Sequence, residues 1–314
     1  MESFQNILVI CNPKTKDSEV VERALRILKG KKSTLTIVDV IRLLPTDLLT
    51  NFESVKVEEL QTAVLEERKK QLNNFVKHFR QKGIEIKAKV FTGQFTPLII
   101  EEVMKNNIDL VMMTAEGAGP IQDQKFGTKS MNLIRNCPCP VWIVKPTKLT
   151  KCREILAAVD LSSEGMGGGL NEKIIKFAID VATIDKAKLH LVHACDLYEE
   201  KLLKESPFLP NAEIEKIAHH VWGEHKQTYN DLISKHDFSQ VKLEQHYEKG
   251  DAVEIITQLA NQEKVDLVIM GTVNRSNYKG ILMGSTAERV CYQVNSSILA
   301  LKPEGFESMI HELT

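Results

Sequence analysis

The sequence predicts an α/β protein built from two tandem copies of one domain, each a parallel sheet between helices. Three observations carry this. Short apolar runs alternate with helix-length segments along all 314 residues, the pattern of βαβ units. The runs LVMM, VWIV and LVIM are apolar without alternation, as strands covered on both faces are. The chain also repeats itself. One constant shift carries IDLVMMT (108–114) onto VDLVIMG (265–271), Gly93 onto Gly250, Gly127 onto Gly284, Thr128 onto Ser285 and Lys145-Pro146 onto Lys302-Pro303. A repeat this long marks duplicated domains, because solenoid periods are about 20–50 residues.

Each copy reads in the same order. A first apolar run (7–11; 155–159) is followed by a helix-like stretch (18–29; 171–184) and a second apolar run (34–40; 187–194). A long amphipathic segment (57–82; 211–235) leads to a third strand (84–91; 240–247) and a helix (95–106; 251–263). The fourth strand (109–113; 266–270) enters a glycine-bearing loop, and a helix (128–136; 285–293) and last strand (141–144; 297–301) close the copy. The match of ILVICN (7–12) to ILAAVD (155–160) needs a shift shorter by about nine residues, and the glycine-rich GMGGGL at 165–170 supplies part of the surplus. The expected boundaries are 1–147 for the first domain, 153–304 for the second and 305–314 for a tail.

Composition excludes several classes. With 41 basic and 42 acidic residues the net charge is −1, without the basic surplus of a nucleic-acid binder. No apolar run approaches the ~18 residues of a membrane span. The N-terminal MESFQNILVI has an acid at Glu2 and no basic region, so it reads as a first strand rather than a signal peptide. Cys11, Cys137, Cys139, Cys152, Cys195 and Cys291 are few and scattered, as free thiols in a reducing cytoplasm would be. Cys137 and Cys139 form C-x-C with no second pair nearby, so no structural zinc is expected there.

The loop after the fourth strand carries the chemistry. The second copy reads Gly271-x2-Asn274-x9-Gly284-Ser285, with Asp160 closing ILAAVD. The first reads Thr114-x2-Gly117-x9-Gly127-Thr128, with Asn12 in place of the Asp. Together with element order and duplication, these residues resemble the universal stress protein family in its tandem form. The resemblance covers the chain twice. It implies two Rossmann-like domains, each with a five-stranded parallel sheet of order 3-2-1-4-5, packed as a pseudo-dimer through their last strands. Nucleotide-binding members carry G-x2-G-x9-G-[ST] and an Asp ending the first strand. One position departs from that motif in the second copy (Asn274) and two depart in the first (Thr114 and Asn12).

For that strand order, ligands bind between the carboxyl ends of strands 1 and 4, where Asp160 and Gly271 would meet. Asp160 is positioned to accept from ribose hydroxyls or an adenine amine. Gly284-Ser285 opens a helix whose free N–H groups suit phosphate, with Ser285 and Thr286 adding hydroxyls. Gly271 and Gly284 are expected to take positive φ and admit close backbone approach, and Asn274 tolerates the left-handed region better than most residues. The loop 271–285 holds Arg275, Lys279 and no acid, whereas 114–128 holds Glu116, Asp123 and Lys125. The second copy is therefore the expected nucleotide site. The first (Asn12, Gly117, Gly127, Thr128) is degenerate.

Other candidates carry less. GMGGGL lacks the G-x-G-x-x-G spacing of a dinucleotide fingerprint and reads as a surface loop or a flap over the crevice. His190, His193, Cys195 and Asp196 crowd one strand, but residues three apart on a strand point to opposite faces, so the two histidines do not share a metal. His193 stands near the crevice. His219, His220 and His225 read as a mixed exposed helix face. No metal and no catalytic residues are expected. The reading is a cytoplasmic stress-response protein that binds ATP or another adenine nucleotide, with Mg2+ as an optional companion, and acts as a ligand-gated interaction module for an unidentified protein partner or a second copy. The alternatives are a nucleotide-free scaffold and a very slow ATP hydrolase.

Overall fold

The computed structural model describes residues 4–13, 18–28, 32–43, 57–80, 83–116, 126–146, 150–161, 169–195, 210–272, 283–308 and 310. The chain divides into two units, Met1–Lys151 with Glu307–Thr314, and Cys152–Phe306.

In the first unit β1 (Asn6–Ile10), β2 (Ser33–Ile41), β3 (Ile84–Thr92), β4 (Leu110–Thr114) and β5 (Val141–Val144) alternate with α1 (Ser18–Leu28), α2 (Val57–Lys77), α3 (Phe95–Asn106) and α4 (Thr128–Asn136). The strands are parallel in the order β3-β2-β1-β4-β5, with Ile7 beside both Leu35 and Leu110, Val111 beside Val141 and Ser33 beside Ile84. The second unit holds β6 (Glu154–Ala158), β7 (Lys188–Cys195), β8 (Lys242–Lys249), β9 (Leu267–Gly271) and β10 (Ser297–Leu301), with α5 (Leu170–Asp185), α6 (Asn211–Ser234), α7 (Ala252–Gln262) and α8 (Ser285–Gln293). Its parallel order is β8-β7-β6-β9-β10.

The core explains the unbroken apolar runs. Ile7, Leu8, Val9, Leu110, Val111 and Met112 are fully buried in one unit, as are Ile155, Leu156, Leu267, Val268 and Ile269 in the other. Covering both faces of a parallel strand leaves no position for alternation. Most boundaries fall within one or two residues of the sequence expectation. The exception is α2, expected to reach 82. It ends at Lys77 because His78 and Phe79 bond back to Phe75 and Val76 in a tighter turn.

Two repeated details position the strands. Asp109 precedes β4, and its carboxylate accepts from the backbone N–H groups of Gln5 (2.7 Å) and Asn6 (3.0 Å). Its counterpart Asp266 accepts from Arg153 (2.6 Å) and Glu154 (3.2 Å). Each carboxylate ties the start of the fourth strand to the start of the first and satisfies donors that strand pairing leaves open. Gly93 and Gly250 take φ of +141° and +143°, where a side chain is strained, so both copies keep glycine between the third strand and the helix that follows it, α3 or α7.

Candidate functional site

The register of the second unit brings the predicted residues to one end of one sheet. Ala158 pairs with Met270, so Asp160 and Gly271 follow the carboxyl ends of neighbouring strands at the point where strand order reverses. Beyond β9, the Gly284 N–H donates to the Thr272 carbonyl at 2.8 Å, which seats the start of α8 against the strand end. Thr272 is buried and held to Leu301 by its N–H (3.1 Å) and hydroxyl (3.3 Å). Asp160, Gly271, Gly284, Ser285 and Thr286 thus lie at the same carboxyl end of the β6–β9 strand pair. Gly284 caps α8 with φ −70° and ψ 149°. Among the described residues a Cβ there would come no nearer than 3.8 Å to any atom, the Thr272 carbonyl oxygen, so no described side chain crowds the start of the helix. Ser285 and Thr286 are exposed. Among the described residues no side chain caps α8. Its first-turn N–H groups have no intrahelical acceptor and carry about half a positive charge.

Asp160 is exposed, and its backbone is fixed by a residue that sequence reasoning missed. Asn171, buried in the first turn of α5, accepts from the Asp160 N–H (3.1 Å) and donates to the Asp160 carbonyl (2.6 Å). One amide thereby locks the turn that presents the carboxylate. Behind it lies His193, buried, its Nδ1 3.1 Å from the Val159 carbonyl. Burial pulls the His193 pKa below its ordinary value, against the opposing effects of the Val159 hydrogen bond and the Asp160 charge.

The expected role of the glycines needs correction. Neither Gly271 nor Gly284 takes positive φ. A Cβ on Gly271 would fall 2.7 Å from Leu170 Cδ2, so glycine is required there because α5 packs onto β9. Its missing side chain is accounted for by the packing of Leu170, with no left-handed backbone needed.

The first unit differs at the same places. Glu116 sits across the start of α4. Its Oε2 accepts from the Lys129 N–H at 3.2 Å, and its Oε1 pairs with Lys129 Nζ at 3.2 Å. A Cβ on Gly127 would fall 2.7 Å from Glu116 Oε2 and 2.8 Å from Glu116 Cβ. A carboxylate thus sits at the start of this helix, whereas among the described residues no side chain caps the helix that Gly284 opens. Asn12 is engaged as well. Arg68 of α2 donates to its Oδ1 at 2.7 Å and lies 3.3 Å from the Asp39 carboxylate. Sequence reading noted Glu116 as an unfavourable loop charge, but its seat on Thr128-Lys129 and the reach of Arg68 follow only from the fold. Asn274, Gly117, Arg275, Lys279, Asp123, Lys125, Asp196 and the glycines of 165–168 lie outside the described residues.

A second polar cluster lies on β6–β8. His190 is fully buried, with Nδ1 3.0 Å from His246 Nε2 and Nε2 2.9 Å from the Glu154 carboxylate. Both ring nitrogens are committed, so this is a hydrogen-bonded chain across three strands. All six cysteines are buried and unbridged. Among the described residues no helix is long and apolar enough to cross a membrane.

Comparison with known proteins agrees with this architecture. The family model described as "Universal stress protein family" matches residues 3–145 and again 151–302. The chain is 29% identical to "Universal stress protein E" of Salmonella typhi over 99% of this chain and 98% of the relative. It is 26% identical to "Universal stress protein E homolog" of Haemophilus influenzae over 96% and 98%. Among solved structures, a "Putative Universal Stress Protein" from Pseudomonas aeruginosa superposes with a TM-score of 0.68 at 22% identity, covering 99% of this chain and 98% of that one. Two copies of one α/β domain, matched along both halves, make this chain a member of the universal stress protein family.

Proposed function

We propose that this chain binds an adenine nucleotide, ATP foremost, in its second unit, and that occupancy of the crevice changes the surface offered to a partner in the cytoplasm. The observation that carries the reading is the contrast between two equivalent helix starts. At α8 no described side chain bonds to the first-turn N–H groups, a Cβ on Gly284 would come no nearer than 3.8 Å to a described atom, and the exposed Asp160 follows the neighbouring strand. At α4 the Glu116 carboxylate already bonds one such group. An uncapped helix N-terminus accepts phosphate, and a carboxylate one strand away accepts sugar hydroxyls. The hydroxyls of Ser285 and Thr286 supply further donors. The first unit has neither the uncapped helix start nor the carboxylate, since Asn12 replaces it and is held by Arg68.

Analysis of small molecules released on denaturing the purified protein, with titration calorimetry at up to millimolar ATP, tests the reading. The expected result is adenylate release or saturable binding at one site per chain. Asp160→Ala should weaken binding about tenfold or more, the scale of a charged hydrogen bond, while Asn12→Ala leaves it unchanged. Neither release nor binding would return the chain to the class of nucleotide-free scaffolds. Equal losses in the two variants would remove the assignment to the second unit.

A further inference from the structure

We infer that the second unit holds a metal site for a zinc-class ion, built from His193 and Cys195 of β7 and His225 of α6. The three residues each bring one donor atom within 4.8 Å of the other two. Cys195 Sγ and His225 Nδ1 already lie 3.4 Å apart. Ligands of a tetrahedral zinc, at bond lengths of about 2.0–2.3 Å, stand about 3.3–3.6 Å from one another. That pair is therefore at ligand spacing, and His193 completes the set with a small inward shift.

The arrangement follows from the fold. Residues two apart on a strand share a face, so His193 and Cys195 point the same way while His190 points the other. Helix α6 crosses that face and is fastened there by two phenols. The Tyr229 hydroxyl donates to the Leu191 carbonyl of β7 at 2.6 Å, and the Tyr247 hydroxyl of β8 donates to the Trp222 carbonyl of α6 at 3.0 Å. His225 lies between these anchors, one turn before Tyr229, so its ring faces the strand pair.

The protonation pattern suits a metal. His193 Nδ1 faces a backbone carbonyl, which requires the hydrogen on Nδ1 and leaves the Nε2 lone pair free to take an ion. That orientation by a carbonyl is the usual support of a metal-bound imidazole. Nε2 is buried and has no hydrogen-bond partner among the described residues, an arrangement that folded proteins rarely tolerate without a use for the atom. Two imidazoles and a thiolate match a borderline-soft ion and leave the fourth position for water. His225 is only half-buried, which gives the ion a way in. On binding, the Cys195 thiol proton passes to solvent and the thiolate takes its place on the metal. The His190–His246–Glu154 cluster does not compete, because both nitrogens of His190 are already bonded.

The test uses the full chain, freed of metal with a chelator and titrated with Co2+ as a spectroscopic stand-in for Zn2+. The expected result is one Co2+ per chain, a thiolate-to-cobalt charge-transfer band, tetrahedral ligand-field bands, and displacement of all of them by Zn2+. Cys195→Ser should abolish the charge-transfer band, and a Cys137→Ser, Cys139→Ser double variant should keep it. His225→Gln, at a half-exposed helix position where circular dichroism can verify folding, should weaken Co2+ binding by more than about tenfold. Absence of the band in the native chain, its survival in Cys195→Ser, its loss in the Cys137/Cys139 variant, or unchanged affinity in folded His225→Gln would each overturn the assignment.

Discussion

The Glu116 carboxylate rests on the first turn of α4, 3.2 Å from the Lys129 backbone nitrogen. It acts as an internal anion in a place where, among the described residues, the other unit has no capping side chain, and it satisfies a helix donor that would otherwise need water or a ligand. Removing it by Glu116→Ala should cost about 1 kcal/mol of stability, the usual value of an N-terminal cap. It should also make the first unit respond to anions. Urea unfolding with and without sulfate checks this: the variant should recover stability in sulfate more than the native chain does.

The glycines of the second motif should separate by role. Gly271→Ala places a methyl 2.7 Å from Leu170 Cδ2 and should destabilise by about 1–3 kcal/mol through overpacking. Adding Leu170→Ala should relieve the clash, giving strong coupling in a double-mutant cycle. Gly284→Ala should cost no more than about 1 kcal/mol of stability, because its Cβ meets nothing closer than 3.8 Å. Its effect should appear instead in nucleotide affinity. Denaturant midpoints and calorimetry on the same two variants measure both quantities.

Asn171→Ala should damage the site without touching a ligand. It deletes two hydrogen bonds to the Asp160 backbone, worth about 2 kcal/mol together, and frees the turn that aims the carboxylate. Lower urea stability accompanied by weaker ATP binding is the expected pair of results. Unchanged ATP affinity would mean that Asp160 is positioned by other contacts.

Acid should destabilise the fold through buried histidines. Burial lowers the pKa of His246 from 6.5, with neighbouring His190 acting in the same direction and Glu244, Glu248 and Glu263 opposing. Burial also lowers that of His236. The unfolded chain therefore takes up protons near pH 6.5 that the folded chain refuses, so stability falls as pH drops below about 6.5 and levels off above it. Denaturant midpoints measured from pH 8 to pH 5 should show this slope, and a His246→Gln, His236→Gln double variant should reduce it, leaving the share carried by buried His193.

How much was legible in the sequence varies with the range of the interaction. The duplication, the element order and the βαβ character could be read directly, because a doubly covered parallel strand must be apolar at every position, as LVMM and LVIM are. The meeting of Asp160 with Gly271 was also legible, since strand order alone brings those two ends together. The meaning of Gly271 was not: the residue that forbids a side chain is Leu170, about a hundred positions away. Nor was the part of Asn171, whose letter at a helix start carries no sign that its amide closes on Asp160. His225 read as one of three histidines on an exposed helix face, and only the seating of α6 on β7 brings it to Cys195.

By itself the sequence determined that this chain is two copies of one α/β domain and that the second copy keeps more of the family's glycine motif and the Asp after its first strand. Periodicity, spacing and composition are local properties, and they suffice for that. Tertiary structure decided which helix start carries a carboxylate, which glycine packs against a leucine, and which histidine stands beside a thiol. Each of these depends on distances between side chains far apart in sequence, such as Glu116 with Lys129 or Cys195 with His225, and those distances exist only once helices are seated on the sheet.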